Sequence, residues 1–563
     1  MTLPGDIEFQ SLPQIRVLGT NIKDVVTATG ANATIFIFSE FDASVLAAGT
    51  ANPILAQLTS LAKYDSSFSK TTNFFVTDAG HRVVTASVGK LERDYDDVRR
   101  YVDAVARGIK RLKQTGKTAK LRIVLQEPKS KFADDLKQFI AASILSALFE
   151  THEQLQARET LEKDKLNDGI IEDIEFAVIG SGAGIEAFMV DQSSLSDVTK
   201  FVLAVEEGRR LARDIGGPDP ERMTALKCAG AIEAFLKKHS LDKVVKFHAQ
   251  SDLKVIAKEY PLLDAVARAS LHIDRHHPCV VTLEYRSPDQ SKVEEELFMV
   301  GKGVTYDTGG ADIKTNGIMA GMSRDKCGAA AIAGFVATVG RLQPVHLNVK
   351  AKLAFVRNTC GADSYVTDEI IRARSGIRVR VGNTDAEGRF AMADLLCELR
   401  EEAEKKPEKA RLFTCATLTG HAARAVGNYP IAMDNGPARS LGIANSLQQS
   451  GTFLGEPFEV SQIRRDDFNC IEAVASNRYD INQISKEKGP RGHQYPAAFL
   501  AISSGLDKCG RDSATPLAYT HLDIAGSAEE SDGDKRVTAS PMLGLTGRFL
   551  AGLGTKALRY LIA

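Results

Sequence analysis

The chain has 563 residues, too many for one hydrophobic core, so two or more domains are expected. With 44% hydrophobic residues, 25% charged residues and a formal net charge of −1, it reads as a soluble globular protein. That balance gives no electrostatic reason for nucleic acid or an anionic membrane to be the main partner. No apolar run approaches the ~20 residues of a membrane span, and MTLPGDIEFQ at the N-terminus lacks the basic and apolar regions of a secretory signal. The eight cysteines are scattered, none precedes Cys228 and none forms a C-x-x-C pair. A disulfide framework or zinc finger is therefore not expected, and a reducing, cytoplasmic setting is.

In chain order, strands are predicted at ATIFIF (33–38), HRVVTASVG (81–89), LRIVLQE (121–127) and FAVIG (176–180), with helices at 92–114 and 131–150. This mixture predicts an N-terminal α/β domain over 1–194. GSGAG (180–184) follows a strand like the start of a dinucleotide loop, but Ile185 stands where that fingerprint needs a small residue, and the segment is read as a turn. A helix opens near 195 with VTKFVLAVEEGRRLARDI and stops at GGPDP. Beyond it, strands CVVTLEY (279–285), ELFMVG (296–301), HLNVKAKLAFV (346–356), IRVRV (377–381), LFTCATL (412–418) and THLDI (520–524) alternate with helices. Several are continuous apolar runs. They predict a larger C-terminal α/β domain over 195–563, with a mostly parallel central sheet covered on both faces. Ligands of such sheets gather at the carboxyl ends of the strands.

Two charged turns sit at such ends. NTDAEGR (383–389) follows IRVRV and precedes the helical FAMADLLCELREEAEKK. On an extended turn, Asp385, Glu387 and Arg389 would face one spot, although a solvated ion-paired loop has the same composition. GKGVTYDTGGADIK (301–314) supplies Lys302, Asp307 and Lys314, and Asp325 follows before a small-residue helix. The phosphate-loop pattern GxxxxGK[ST] is absent, and the nearby carboxylates argue against an anion site. Four clustered carboxylates would repel one another and raise each other's pKa, a penalty that two divalent cations would remove. Oxygen-rich ligation with a nitrogen donor suits Zn²⁺, Mn²⁺, Co²⁺ or Mg²⁺.

These two motifs together resemble the M17 leucyl aminopeptidase (cytosol aminopeptidase) family. TLTG (417–420), GEP (455–457), AAFL (497–500), HLDIAG (521–526) and the helix end RLARDIGGPDP extend the resemblance from about 195 to the C-terminus. Within the family the chain looks closest to a divergent animal group of aminopeptidase-like proteins. The resemblance implies a metalloexopeptidase that hydrolyses the N-terminal bond of peptides through a water bridging two metals. By that similarity Asp307 and Glu387 bridge the metals, Asp385 completes one site, and Lys302 and Asp325 complete the other. Lys314 would polarise the scissile carbonyl, and Arg389 would hold a bicarbonate that takes a proton from the water. Asn383 and the backbone around Leu418 and Gly420 would position the peptide, and Met322 and Ala528 would line an apolar pocket for its first residue. The resemblance also implies a homohexamer. His421 and His521 fall in matching stretches but off the ligand positions, and are read as structural.

The chain departs from the pattern around these residues. Asp312 stands two before Lys314, where relatives carry an uncharged residue, and on an extended turn it could pair with Lys314 and weaken its hold on the carbonyl. Lys326 follows Asp325 where methionine is usual, adding a positive charge beside a ligand. Tyr519 replaces a tryptophan before HLDIAG. Two other readings stay open on the sequence alone: a different di-metal hydrolase such as a phosphoesterase, and a non-catalytic relative serving binding or assembly.

Overall fold

The computed structural model describes residues 7–18, 30–39, 53–127, 136–161, 171–179, 192–473, 477–485, 489–531 and 535–551. The chain divides into two compact units. Among the described residues, one comprises 10–206 with 452–455; the other holds 207–451 and 456–551, together with 7–9.

In the first unit six strands form one sheet: β1 (Gln14–Val17), β2 (Ala33–Phe38), β3 (Thr72–Val76), β4 (Arg82–Ser87), β5 (Lys120–Gln126) and β6 (Asp173–Ile179), in the order β1-β6-β5-β2-β4-β3. β2, ATIFIF, is buried along its whole length, as expected of an apolar central strand. β1 and β3 are absent from the expected strands, because each is short and only partly apolar. Helices α1 (Pro53–Tyr64), α2 (Arg99–Lys113) and α3 (Leu136–Glu150) accompany the sheet. The helix expected from residue 92 starts only at Arg99. Before it, Asp96 collects Arg93 at 2.6 Å and Arg100 at 3.0 Å, which fixes a turn instead of a further helical coil. The GSGAG segment and Ile185 lie outside the described residues.

The junction between the units falls inside one helix, α4 (Gln192–Gly216). The second unit is built on an eight-stranded sheet of β7 (Val245–Gln250), β8 (Cys279–Tyr285), β9 (Glu295–Asp307), β10 (Leu347–Asn358), β13 (Ala410–Ala416), β14 (Ile431–Asp434), β15 (Glu459–Gln462) and β17 (Ala518–Asp523), in the order β15-β14-β17-β13-β9-β10-β8-β7. β10, β9, β13 and β17 run parallel, so their carboxyl ends share one edge. β11 (Ile370–Arg372), β12 (Arg378–Arg380) and β16 (Ile481–Asn482) form a separate three-stranded sheet. IRVRV is therefore not part of the central sheet. Its alternate residues are arginines that pair outward, Arg378 with Asp480 at 2.8 Å and Arg380 with Asp368, and a strand of that pattern cannot lie in a sheet covered on both faces.

Helix α5 (Cys327–Leu342) is buried from Cys327 to Gly340 and lies almost backbone to backbone on the sheet. A Cβ on Gly328 would come within 2.2 Å of the Cys415 carbonyl oxygen, and one on Gly301 within 2.5 Å of Ala329 Cα. Small residues at these positions let α5 sit close, and its closeness sets the height of Asp325 above β9. The remaining helices of the site are α6 (Glu387–Ala403), α7 (Gly420–Val426) and α8 (Tyr495–Ser504). Phe390 on α6 stacks on Phe499 of α8 in the main core.

Candidate metal centre

Six of the predicted residues converge at the carboxyl edge of β9. Lys302 and Asp307 are both on β9, where the register pairs Lys302 with Ala354 and Asp307 with Asn358 of β10. Asp325 arrives on the 3-10 turn Met322–Lys326 ahead of α5. Asp385 lies on the 3-10 turn Thr384–Ala386, and Glu387 is the first residue of α6. The NTDAEGR turn is thus helical rather than extended, and the convergence of its charges comes from the helix start instead of a two-residue alternation.

The polar contacts are tight. Lys302 Nζ lies 2.7 Å from Asp325 Oδ1 and 2.8 Å from Glu387 Oε1, and it donates to the Thr417 carbonyl at 3.0 Å. Lys314 Nζ lies 2.8 Å from Asp307 Oδ2 and also pairs with Asp385. Thr417 Oγ1 donates to Asp325 Oδ1 at 2.7 Å. Asp307 Oδ1 accepts from Asn358 Nδ2 at 2.7 Å and from Gly309 N–H at 2.9 Å. Gly388 leaves the path for Lys302, since a Cβ there would sit 2.4 Å from Lys302 Cε. Asp385 is the most open of the six at 28% exposure; Lys302, Asp307, Asp325 and Glu387 are all at 7% or less.

The charges do not balance. Four carboxylates share two ammonium groups, a deficit of two positive charges. Burial, followed by the Asp307 charge, pushes the Glu387 carboxyl well above its ordinary range. Burial is also the main cause that raises Asp325 to about 6, with Asp307 adding to it, and burial plus Asp307 raise Asp385. For Lys302 burial works the other way, but Asp325, Glu387 and Asp307 outweigh it and hold the ammonium above the usual lysine range. A cluster that holds protons this firmly is short of positive charge. The carboxylate oxygens of Asp307, Asp325 and Glu387 lie within 4.8 Å of one another, and buried Asp325 Oδ2 has no hydrogen-bond partner. The residues fit divalent cations on charge, donor type and a spare lone pair.

Arg389 stands apart from this cluster. It is buried, donates to the Gln483 carbonyl at 2.7 Å, and lies over the rings of Tyr495 at 5.1 Å and Phe499 at 5.9 Å. Its Nε has no hydrogen-bond partner, which fits a small oxyanion there. Asn383 uses its side-chain oxygen locally, accepting from Asp385 N–H at 2.9 Å as the cap of its turn. Leu418 N–H donates to Asp523 Oδ1 at 3.3 Å, and a Cβ on Gly420 would meet open space. Met322 opens the turn that carries Asp325, Ala528 is buried past β17, and the ion pair Arg324–Glu529 at 2.9 Å ties their two segments together.

The two departures that threatened the site turn away from it. Asp312 does not pair with Lys314; its carboxylate accepts from Thr384 N–H at 2.8 Å. Lys326 is wholly buried, and its ammonium donates to the carbonyls of Pro218, at 2.9 Å, and Ser323 instead of lying beside the ligands. Burial pushes its pKa down. His521 is structural, its Nδ1 meeting Thr414 Oγ1 at 2.6 Å; His421 Nδ1 meets His493 Nδ1 at 2.8 Å. Asn358, Thr384, Thr417, Gln483 and Asp523 escaped the sequence reading. Asn358, the polar last residue of an apolar strand, carried a legible signal; the others are ordinary turn residues until the fold brings them in.

The cytosol aminopeptidase family, catalytic domain, matches residues 210–551. A candidate aminopeptidase of Caenorhabditis elegans is 36% identical over 471 residues, 83% of this chain and 83% of that protein. A "Probable cytosol aminopeptidase" of Persephonella marina is 28% identical over 331 residues, 58% of this chain and 59% of that protein. Among solved structures, the bottromycin maturation enzyme BotP in complex with Mn superposes with a TM-score of 0.67 at 19% identity, covering 92% of this chain and 98% of that one, which shows a shared fold. A match over the whole catalytic region and a relative this similar over most of its length place the chain in the cytosol aminopeptidase family, and so among the metalloexopeptidases.

Proposed function

We propose that this protein is a di-metal aminopeptidase that removes the first residue of peptides. The observation that carries the reading is the buried convergence of Lys302, Asp307, Asp325, Asp385 and Glu387, with Lys314 beside them, two positive charges short of balance. Asp307 and Glu387 would be shared between two cations, Asp385 would serve one, and Asp325 together with Lys302 the other. Beside a dication the ammonium form of Lys302 is disfavoured, so it would act there as the neutral amine. Zn²⁺ and Mn²⁺ suit this donor set best, with Co²⁺ and Mg²⁺ compatible. When bound, the cations supply Lewis acidity at the scissile carbonyl and lower the pKa of a hydrolytic water.

The chain's own groups then do the rest. The Lys314 ammonium opposes burial through its pairing with Asp307 and Asp385, stays charged, and donates a hydrogen bond to the carbonyl oxygen as negative charge grows there. Arg389, with its unpartnered Nε, would hold a bicarbonate to serve as the proton acceptor. Leu418 and Gly420 would align the peptide backbone, with Asp523 holding Leu418 in place. Met322 and Ala528 would contact the first side chain. Assembly into a homohexamer, a cytoplasmic location and an assembly role for the N-terminal domain belong to the same reading. With Asp312 and Lys326 engaged elsewhere, neither speaks for a silenced relative.

The test compares one peptide with a free and with an acetylated N-terminus, incubated with metal-loaded protein. Release of the first residue from the free peptide alone supports an aminopeptidase. Equal cleavage of both, or internal cleavage, would refute it.

A further inference from the structure

Asp312 makes a reciprocal clasp with Thr384. Asp312 N–H donates to Thr384 Oγ1 at 2.8 Å, and Thr384 N–H donates back to Asp312 Oδ2 at 2.8 Å. The Thr384 hydroxyl passes its own hydrogen to the Gly309 carbonyl at 2.6 Å. Thr384 is wholly buried, and its carbonyl accepts from Tyr365 OH at 2.7 Å and from Asn358 Nδ2 at 3.1 Å. The clasp requires the loop to double back, which Gly309 and Gly310 allow with φ of +89° and +65°. A Cβ on Gly310 would meet Thr384 Oγ1 at 2.9 Å and Asn358 Oδ1 at 3.0 Å.

The clasp joins two separate stretches of chain immediately beside the cluster. Asp312 lies two residues before Lys314, and Thr384 directly precedes Asp385. Asn358 then links Thr384 to Asp307, so Lys314 and the two carboxylates that meet at its Nζ all connect back to a single buried threonine. A carboxylate suits position 312 better than a hydroxyl would. It accepts from a backbone N–H at the start of the helical turn leading into α6, where negative charge is favoured and the hydrogen bond is charge-assisted.

We propose that Asp312 is a positioning residue: through Thr384 it sets Lys314 against Asp307 and Asp385, and so fixes the geometry of the metal centre. The inference rests on the di-metal reading above. The experiment uses the full chain and measures Mn²⁺ affinity by titration calorimetry, and kcat and KM separately on an aminoacyl amide, for Asp312→Ala and Asp312→Asn. Asp312→Ala is expected to weaken Mn²⁺ binding and lower kcat by about 10- to 100-fold, the usual effect of losing an outer partner of a metal site, with KM little changed. Asp312→Asn keeps an acceptor for Thr384 N–H and is expected to recover most of both losses.

Parent-like affinity and kcat in Asp312→Ala would overturn the proposal, as would an Asp312→Asn variant as impaired as Asp312→Ala. Should Asp312→Ala fail to fold, Thr384→Val, which removes the hydroxyl, and Thr384→Ser, which keeps it, decide the matter. Impairment in the valine variant alone supports the clasp, and parent-like behaviour in both contradicts it. A parent that binds no Mn²⁺ and cleaves nothing would overturn the di-metal reading and the clasp together. An active parent with an unaffected Asp312→Ala would overturn the clasp only.

Discussion

Gly388→Ala is a one-methyl test of where Lys302 sits. The added Cβ would lie 2.4 Å from Lys302 Cε and 2.7 Å from both Cδ and Nζ. Carbon atoms in contact prefer ~3.5–4.0 Å, so the lysine must retreat by roughly 1.1–1.6 Å. Lys302 is buried and pinned by Asp325 at 2.7 Å, Glu387 at 2.8 Å and the Thr417 carbonyl at 3.0 Å, so no retreat preserves all three contacts. A displacement near 1 Å in a reacting constellation costs about 10²-fold in rate, and a disturbed ligand shell about 10- to 100-fold in metal affinity. Alanine is the better helix former by ~1 kcal/mol, which offsets part of the ~1–3 kcal/mol of overpacking, so the metal-free protein should stay folded. Metal titration with kcat on an aminoacyl amide, beside a denaturant melt of the metal-free form, separates these effects. A folded Gly388→Ala with parent-like affinity and rate would refute the placement of Lys302 between Asp325 and Glu387.

Other expectations concern the surroundings of the site. Asp523 accepts from Leu418 N–H at 3.3 Å, Ala525 N–H at 3.1 Å and Thr419 Oγ1 at 2.7 Å. Asp523→Ala should therefore lower stability by at least about 3 kcal/mol in a denaturant melt, at 1–3 kcal/mol for each of three stranded donors; a loss under about 1 kcal/mol would count against this. His521 is fully buried, and burial lowers its pKa to about 3. Below about pH 6.5 the unfolded chain takes up a proton that the folded chain refuses, so this contribution to stability is present above that pH and is lost as the pH falls. Between pH 7 and pH 5 the parent should lose about 2 kcal/mol more than His521→Asn. Equal pH dependence in the two proteins would contradict it.

Much of the fold was legible in the sequence, because that information is local. CVVTLEY and ATIFIF match β8 and β2 residue for residue, since a buried apolar run between polar breaks has few other fates. The six charged residues of the centre were identifiable because two short stretches, GKGVTYDTGGADIK and NTDAEGR, with Asp325 between them, hold them all. Less legible was anything set by long-range partners. IRVRV has the period of a strand, but only its arginines' partners Asp480 and Asp368 reveal that it leaves the main sheet. The reading of NTDAEGR as extended failed because Asn383 caps a helical turn there. Asp312 and Lys326 depart from expectation for one reason: charges close in sequence to the centre are not directed at it in space. Thr384, across the cluster, and Pro218, in the turn after α4, capture them instead.

The most direct test of the di-metal centre is to load the purified protein in turn with Zn²⁺, Mn²⁺ and Co²⁺. Bound metal per chain and release from a panel of aminoacyl amides are then measured, with Glu387→Ala as the control. Two metals per chain and metal-dependent turnover, with the variant folded but depleted of metal and inactive, is the expected result. A metal-independent activity, or a Glu387→Ala variant that keeps both its metals and its turnover, would contradict a centre shared through Glu387.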